Sequence, residues 1–274
     1  MKVLILGGTG LLGNALLKTL SKKFETIGTT RINQVRSKLN YVLIKDVQDK
    51  KNLTDLIMDA NPDVVINCIS LRNFNSSSFK ELESVYVLFP KILSILSIKF
   101  DFKVIHISTD AVFSGKKGNY NENDTPDPID DYGKTKFLGE PDQENCVVIR
   151  TSMIGHSNNG ETGLLDWFLK QKDCTLYKNA IFSGLPVNEL SKIISDHFIV
   201  NSDLEGIFHI SSKPISKYDL LSKVRDLYDL KVSITADETY KIDRSLDSSK
   251  FRNLTGYRIK SWNDMITKMR EENY

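Results

Sequence analysis

Residues Lys2–Gly13, KVLILGGTGLLG, constrain the fold more than any other stretch. Mostly apolar residues, Lys2 to Leu6, run into glycines at Gly7, Gly10 and Gly13. A helical pattern of Leu11, Leu12, Ala15, Leu16 and Leu20 starts inside the glycine spacing. This reads as a buried strand, a tight turn and a helix whose N-terminus is bare. Such a helix start presents N–H groups and the positive end of the dipole, so it favours an anion. Glycines let the backbone approach that anion where a Cβ would hold it off. Three glycines can equally serve the turn geometry of an ordinary strand–turn–helix. Their place after a strand at the start of the chain favours a nucleotide diphosphate over Gly7, Thr9, Gly10, Leu11, Leu12 and Gly13.

Further strands are expected at Glu25–Thr30, Tyr41–Val47, Val64–Ile69, Lys103–Ser108 and Cys146–Thr151. Helices are expected at Asn52–Ala60, at about Phe79–Ile98 with a kink at Pro90, and from Asp131 onward. Alternating strands and helices predict an α/β fold, a doubly wound parallel sheet of Rossmann type. The pattern changes after Arg150. Gly155–Gly163 is polar and glycine-rich, and the amphipathic piece Leu164–Leu169 follows. A helix at Asn188–Val200, a strand at Gly206–Ser211 and a Ser-capped helix at Ser216–Tyr228 come next. Then come a short strand at Val232–Thr235, a polar loop with a turn of helix at Ser245–Tyr257 and a last helix at Trp262–Met269. This part reads as a smaller C-terminal α/β substrate domain with less sheet and more loop. The expected division is 1–152 plus about 174–205 for the dinucleotide-binding domain and 153–173 plus 206–274 for the substrate-binding domain.

Composition removes several function classes. The chain has 274 residues, 40% hydrophobic and 26% charged, enough apolar mass for a full core. A net charge of +2, with no basic run longer than two residues, argues against a nucleic-acid binder. Cys68, Cys146 and Cys174 are odd in number and widely spaced, so they read as free thiols in a reducing cytoplasm, with no metal-ligand spacing. The longest apolar stretch, Val85–Ile98, is interrupted by Pro90 and Lys91 and is too short to span a bilayer. The chain opens on a strand, so no leader peptide is expected.

Strand ends carry the remaining cofactor signals. In nucleotide-binding sheets the end of the second strand reaches the adenosine ribose, where an arginine suits a 2′-phosphate. Thr30 and Arg31 stand there and favour NADPH, with NADH as the alternative. Asp46 and Val47, ending the third strand, are placed to meet the adenine. Cys68 and Ile69, ending the fourth, are placed near the middle of the dinucleotide.

The chemistry rests on Thr109, Tyr132 and Lys136. A tyrosine with a pKa of about 10 exchanges its proton poorly at neutral pH. A lysine cation beside it favours the phenolate and brings that pKa toward the working range. A spacing of four on a helix puts the ammonium next to the phenol. Tyr41 and Lys45 share the spacing, but in a strand they would lie about 13 Å apart. The spacing alone therefore has no meaning without the helix.

Together these segments resemble the extended short-chain dehydrogenase/reductase superfamily, and within it dTDP-4-dehydrorhamnose reductase and related nucleotide-sugar 4-ketoreductases. The matching residues are GGTGLLG (Gly7–Gly13), INC (Ile66–Cys68), HISTDAVFSG (His106–Gly115), YGKTKFLGE (Tyr132–Glu140) and IRTSMIG (Ile149–Gly155). GIFHISSKPISKYDLL (Gly206–Leu221) and DRSLDSSKF (Asp243–Phe251) extend the match almost to the end. The resemblance implies NADPH-dependent reduction of the C4 ketone of a nucleotide-linked 6-deoxyhexose, for surface polysaccharide precursors. It implies Thr109, Tyr132 and Lys136 as catalytic residues, with Lys136 also on the nicotinamide ribose. It points to Asp110, Met153 and His156 for the sugar, although a histidine in a polar loop is also an ordinary surface residue. One or more of Lys213, Arg244 and Arg252 could pair with the substrate diphosphate, although each is individually also an ordinary solvated charge. Two positions depart from the family: Tyr86 stands where an asparagine is usual, and Met153 where a tryptophan is usual. Two other readings stay open. One is a dinucleotide-binding regulatory subunit resembling that of methionine adenosyltransferase. The other is an epimerase or dehydratase of the same superfamily, although Asp110-Ala111 replaces the Asp-Glu pair of the dehydratases. The sequence leaves a homodimer as an open option.

Overall fold

The computed structural model describes residues 1–31, 39–44, 46, 49–71, 76–157, 163–201 and 204–272. β1 (Lys2–Leu6) leads through the glycine turn to α1 (Leu11–Leu20), β2 (Glu25–Thr30) and β3 (Tyr41–Leu43). α2 (Lys50–Ala60) precedes β4 (Val64–Asn67). One helical run follows in three pieces: α3 (Phe79–Glu83), a π turn at Ser84–Leu88 and α4 (Phe89–Phe100). β5 (Lys103–Thr109), α5 (Asp131–Leu138) and β6 (Cys146–Thr151) complete the alternation. The rest comprises β7 (Met153–Ile154), α6 (Leu164–Phe168), β8 (Asp173–Phe182), β9 (Leu185–Pro186) and α7 (Val187–Ile193) with a π turn at Ile194–Phe198. Then come β10 (Gly206–His209), β11 (Ile215–Ser216), α8 (Lys217–Leu227), β12 (Ser233–Asp243), α9 (Ser249–Thr255) and α10 (Trp262–Glu271).

Two compact units emerge. The first comprises Met1–Ser108, Asp130–Ile149 and Ser191–Ile207, and the second Thr109–Ile129, Arg150–Leu190 and Phe208–Tyr274. Residues 109–129, 150–152 and 174–190 group with the second unit and 206–207 with the first, a different division from the one the sequence predicts. For 174–190 the reason is pairing: eight residues of β8 lie in register with β12.

The first unit is built on the expected Rossmann-type sheet, seven parallel strands in the order β10-β6-β5-β4-β1-β2-β3. Registers such as Val3↔Val64, Lys2↔Glu25 and Val64↔Lys103 align the strand starts, so the strand ends with their turns fall along one edge. The central strands are buried and mostly apolar, with polar residues such as Asn67, His106 and Arg150 toward their ends. Leu4, Leu6, Val65 and Val104 from the sheet meet Leu53, Leu56 and Ile57 of α2 and Phe89, Leu93 and Leu96 of α4. Each such side chain stabilises the fold by about 1.5–3 kcal/mol relative to exposure. α2 begins two residues earlier than its apolar pattern because Asp49 accepts from the N–H groups of Lys51 and Asn52. It stops at Asn61, which adopts the left-handed conformation. The expected strand through Val47 ends at Leu43, and the one through Ile69 ends at Asn67. The expected kink at Pro90 is instead a widened turn. Phe89 N–H bonds back to Ser84, five residues away, and Pro90, which has no N–H, sits in the first turn of α4.

The second unit holds more sheet than the sequence suggested. β8 and β12 run parallel with β11 antiparallel on the other side of β8, and a bulge interrupts β12 between Asp237 and Lys241. The short strand expected at Val232–Thr235 is the beginning of this longer one. Both strands are half-exposed, with Lys178 paired to Glu238 and Tyr177 against Tyr240, so no apolar stripe announces them. The polar stretch Ser245–Tyr257 contains α9. Among the described residues, no helix is long and apolar enough to cross a membrane.

Candidate active site

In the first unit, the glycine turn is packed backbone against backbone. A Cβ on Gly13 would stand 2.2 Å from the Gly7 carbonyl oxygen, and one on Gly7, at φ +82°, 2.9 Å from the Cys68 carbonyl oxygen. Thr29 Oγ1 accepts from Gly7 N–H at 2.9 Å and fixes the turn to β2. α1 starts at Gly10 with no side-chain cap and no acid in its first turn. The first N–H groups of a helix have no intrahelical partner. A bare helix start over glycines fits a diphosphate, so the turn passes the test for a dinucleotide. Thr9 and Leu11 are half-buried and Leu12 is buried, so Leu12 offers only its backbone. Tyr41 buttresses the same turn, accepting from Asn14 Nδ2 and reaching the Gly8 carbonyl. Lys45 and Val47 lie outside the described residues. Thr30 is buried at the end of β2, while Arg31 and Asp46 are exposed.

A continuous path leads from this turn to Lys136. Cys68, directly behind Gly7, interacts with the Lys136 ammonium, yet burial holds the thiol up at about 12, so it is no nucleophile. Asn67 Oδ1 accepts from Ile69 N–H at 3.2 Å and shapes the turn after β4. That leaves Asn67 Nδ2 to donate to His106 Nδ1. Burial and the Lys136 charge hold His106 well below its ordinary range, so it is a neutral core residue.

Asp130 caps α5 by accepting from Gly133 N–H at 2.7 Å, which sets the helix start and places Tyr132 and Lys136 one turn apart. Lys136 is 5% exposed, and its Nζ donates to the Ile107 carbonyl at 2.6 Å. Burial lowers its pKa to about 8, while Glu140 and Cys68 oppose the fall. Glu140 is fixed in turn by Ser108 Oγ, which donates to it at 2.6 Å. An ammonium one helical turn from a phenol is an arrangement for proton transfer. Tyr86 completes the cluster: its ring stands perpendicular to that of Tyr132 at 5.5 Å, and Lys136 Nζ lies 5.3 Å from its centroid.

The second unit holds the other expected residues. Thr109 ends β5, accepts from Ala111 N–H and donates to Asp110 Oδ1. Burial raises the Asp110 pKa to about 6 against the pull of Arg244, Thr109 and Lys217. Met153 is half-buried on β7, beside Leu185. His156 Nε2 meets Tyr228 OH at 3.0 Å, and burial lowers its pKa against Asp166. Lys213 and Arg252 line one open depression of about 470 Å³ with Arg258. Arg244 belongs instead with Asp110. Sequence reasoning missed Glu140 and the contacts of Tyr86. Glu140 was not readable from helical spacing, because α5 ends at Leu138 with Gly139 as its C-cap and Glu140 lies beyond it. Nor was Tyr86, because a π turn breaks the helical period that sequence patterns rely on.

A parallel sheet in this order, a glycine cradle after β1 and a Tyr–Lys pair on the helix after β5 define an NAD(P)H-dependent oxidoreductase of the extended short-chain type. The chain belongs to the family described as RmlD substrate binding domain, which it matches over residues 1–274. It is 26% identical to the spore coat polysaccharide biosynthesis protein SpsK of Bacillus subtilis, covering 99% of this chain and 97% of that protein. It is 26% identical to the dTDP-4-dehydrorhamnose reductase of Aggregatibacter actinomycetemcomitans over 82% of this chain and 78% of that one. Methionine adenosyltransferase 2 subunit beta of Danio rerio is 25% identical, over 84% and 74%. Among solved structures, dTDP-4-dehydrorhamnose reductase of Bacillus anthracis in complex with NADP shares the fold, with a TM-score of 0.82 at 21% identity over 100% and 99% of the two chains.

Proposed function

We propose that this protein is an NADPH-dependent reductase of the C4 ketone of a nucleotide-linked 6-deoxyhexose, supplying surface polysaccharide precursors. The observation that carries the reading is the buried Lys136 ammonium, held at the Ile107 carbonyl one helical turn from Tyr132. The relatives supply the substrate class: a dTDP-4-dehydrorhamnose reductase and a polysaccharide biosynthesis protein both match across most of the chain.

The turn Gly7–Gly13, with Thr9, Gly10, Leu11 and Leu12, would hold the cofactor diphosphate. Thr30 and Arg31 would take the 2′-phosphate, Asp46 and Val47 the adenine, Cys68 and Ile69 the middle of the dinucleotide, and Lys136 the nicotinamide ribose. Bound NADPH supplies a hydride to the ketone carbon. Tyr132 gives its phenolic proton to the C4 oxygen, and Lys136 steadies the phenolate left behind. Thr109 would turn its hydroxyl hydrogen from Asp110 Oδ1 to the same oxygen, which lowers the charge that develops there. Asp110, Met153 and His156 orient the sugar.

NADPH oxidation followed with 4-keto-6-deoxy sugars linked to dTDP, UDP, GDP and CDP tests the proposal. Tyr132→Phe should cut turnover on the best substrate by orders of magnitude and leave NADPH affinity nearly intact. Undiminished turnover would remove Tyr132 from the chemistry. The match to methionine adenosyltransferase 2 subunit beta favours a second reading, a dinucleotide-binding regulatory subunit. Tight NADPH binding with no oxidation on any sugar nucleotide would move the assignment there.

A further inference from the structure

Tyr86 is 1% exposed and lies within the π turn that joins α3 to α4. Its hydroxyl accepts from Leu71 N–H at 2.9 Å and bonds Ser70 Oγ at 3.0 Å. Its ring contacts both members of the expected catalytic pair, perpendicular to Tyr132 and under the Lys136 ammonium. One side chain thus ties the turn after β4 to two groups on α5. The tie is stiff, because α5 is seated on the same π turn through backbone alone. A Cβ on Gly139, the C-cap of α5, would stand 1.6 Å from the Tyr86 carbonyl oxygen. Widened turns of this kind inside α-helices often mark functional positions, since the extra residue re-aims a side chain.

We propose that Tyr86 is a positioning residue, whose ring holds Tyr132 and the Lys136 cation in register and whose hydroxyl clamps the turn after β4. The proposal rests on the reductase reading above. The two ends of the side chain have separable jobs. The π face of an aromatic ring attracts a cation, so the ring favours the charged form of Lys136 that burial disfavours. The hydroxyl satisfies Leu71 N–H, so its loss loosens the segment that follows Cys68 and Ile69 without touching the ammonium.

Two variants and two readouts separate these jobs. Tyr86→Phe keeps the ring: the KM and the fluorescence-titrated Kd for NADPH should rise several-fold, with kcat and its alkaline limb unchanged. Tyr86→Leu removes the ring as well. The alkaline limb of kcat should then move down by about 0.5 pH or more, and turnover should fall by about tenfold. The Lys136 pKa, followed by NMR in 13C-lysine-labelled protein without substrate, should move down by the same amount. Circular dichroism confirms that each variant is folded. A folded Tyr86→Leu protein with the wild-type limb, wild-type Lys136 titration and wild-type turnover would overturn the proposal. If wild type oxidises no NADPH with any sugar nucleotide, the reductase reading fails, and the lysine titration with the NADPH Kd still decides the role of Tyr86.

Discussion

Lys136, on α5, donates its Nζ to the backbone carbonyl of Ile107, on β5, at 2.6 Å. The ammonium is thereby taken out of water and given one neutral acceptor, with Glu140 and Cys68 as the groups that oppose the loss of charge. A cation in such surroundings loses its proton more readily than one in solvent. The folded pKa of about 8 lies below the ordinary 10.5, so between these values the unfolded chain binds more protons than the native one. Stability contributed by this group therefore rises as pH rises from about 8 toward 10.5. Denaturant unfolding of wild type and Lys136→Met at both ends of this window should differ in slope. Wild type should gain up to about 3 kcal/mol relative to the variant. Parallel pH dependence of the two proteins would mean that the ammonium is not buried as described.

The glycine turn yields a prediction about shape. The Cβ of Gly13→Ala would meet the Gly7 carbonyl oxygen at 2.2 Å, and both partners are backbone that cannot swing aside. The turn must open, which should destabilise the protein by about 1–3 kcal/mol and weaken NADPH binding at least tenfold. Gly163→Ala provides the contrast, since a Cβ there meets nothing within 4 Å and only the φ of +104° is unfavourable. Equilibrium unfolding and fluorescence titration with NADPH on both variants check the pair. Unchanged NADPH affinity in Gly13→Ala would detach the turn from the cofactor.

How far the sequence could be read follows from where each signal lives. The first unit was legible because its strands are buried on both faces and its helices are amphipathic, so hydrophobic period and element type coincide. Tyr132 and Lys136 were legible for the same local reason, a one-turn spacing on one short helix, whereas the Asp130 cap that starts that helix emerged only from the fold. β8 and β12 escaped because half-exposed strands carry Lys178, Glu238 and Lys241 where a buried strand carries valine. The Tyr86 contacts escaped because they cross from one helical run to another through a turn of altered period. The grouping of Thr109–Ile129 with the second unit is a tertiary fact that no local pattern contains.

Arg31, the proposed partner of the 2′-phosphate, is exposed at the end of β2, next to the buried Thr30. A guanidinium there matches a phosphate on the ribose and gains little from a free hydroxyl. Arg31→Ala should raise the KM for NADPH by about 10- to 100-fold, the loss of one charge-assisted contact, and leave the NADH value nearly constant. Steady-state kinetics with both cofactors measures the ratio. Equal effects on the two would place the 2′-phosphate elsewhere.

Asp110 gives a prediction about stability and pH. Its carboxyl is raised to about 6 by burial, from an ordinary 3.8, although Arg244, Lys217 and the Thr109 hydroxyl all favour the charged form. Between those values the native state holds a proton that the unfolded chain has released, so stability falls as pH rises from about 4 to 6 and stays lower above it. Asp110→Asn keeps an oxygen that can accept from Thr109 and removes the buried charge. At pH 7 it should therefore be more stable than wild type by up to about 3 kcal/mol, a figure that already includes the pull of Arg244. Below pH 4 the two proteins should converge. If Asp110 also orients the sugar, the same variant should raise the KM for the sugar nucleotide without altering NADPH affinity. Unfolding curves at pH 4 and 7, with kinetics at pH 7, give both answers. A variant less stable than wild type at pH 7 would show that the Arg244 pairing outweighs the cost of burying the carboxylate.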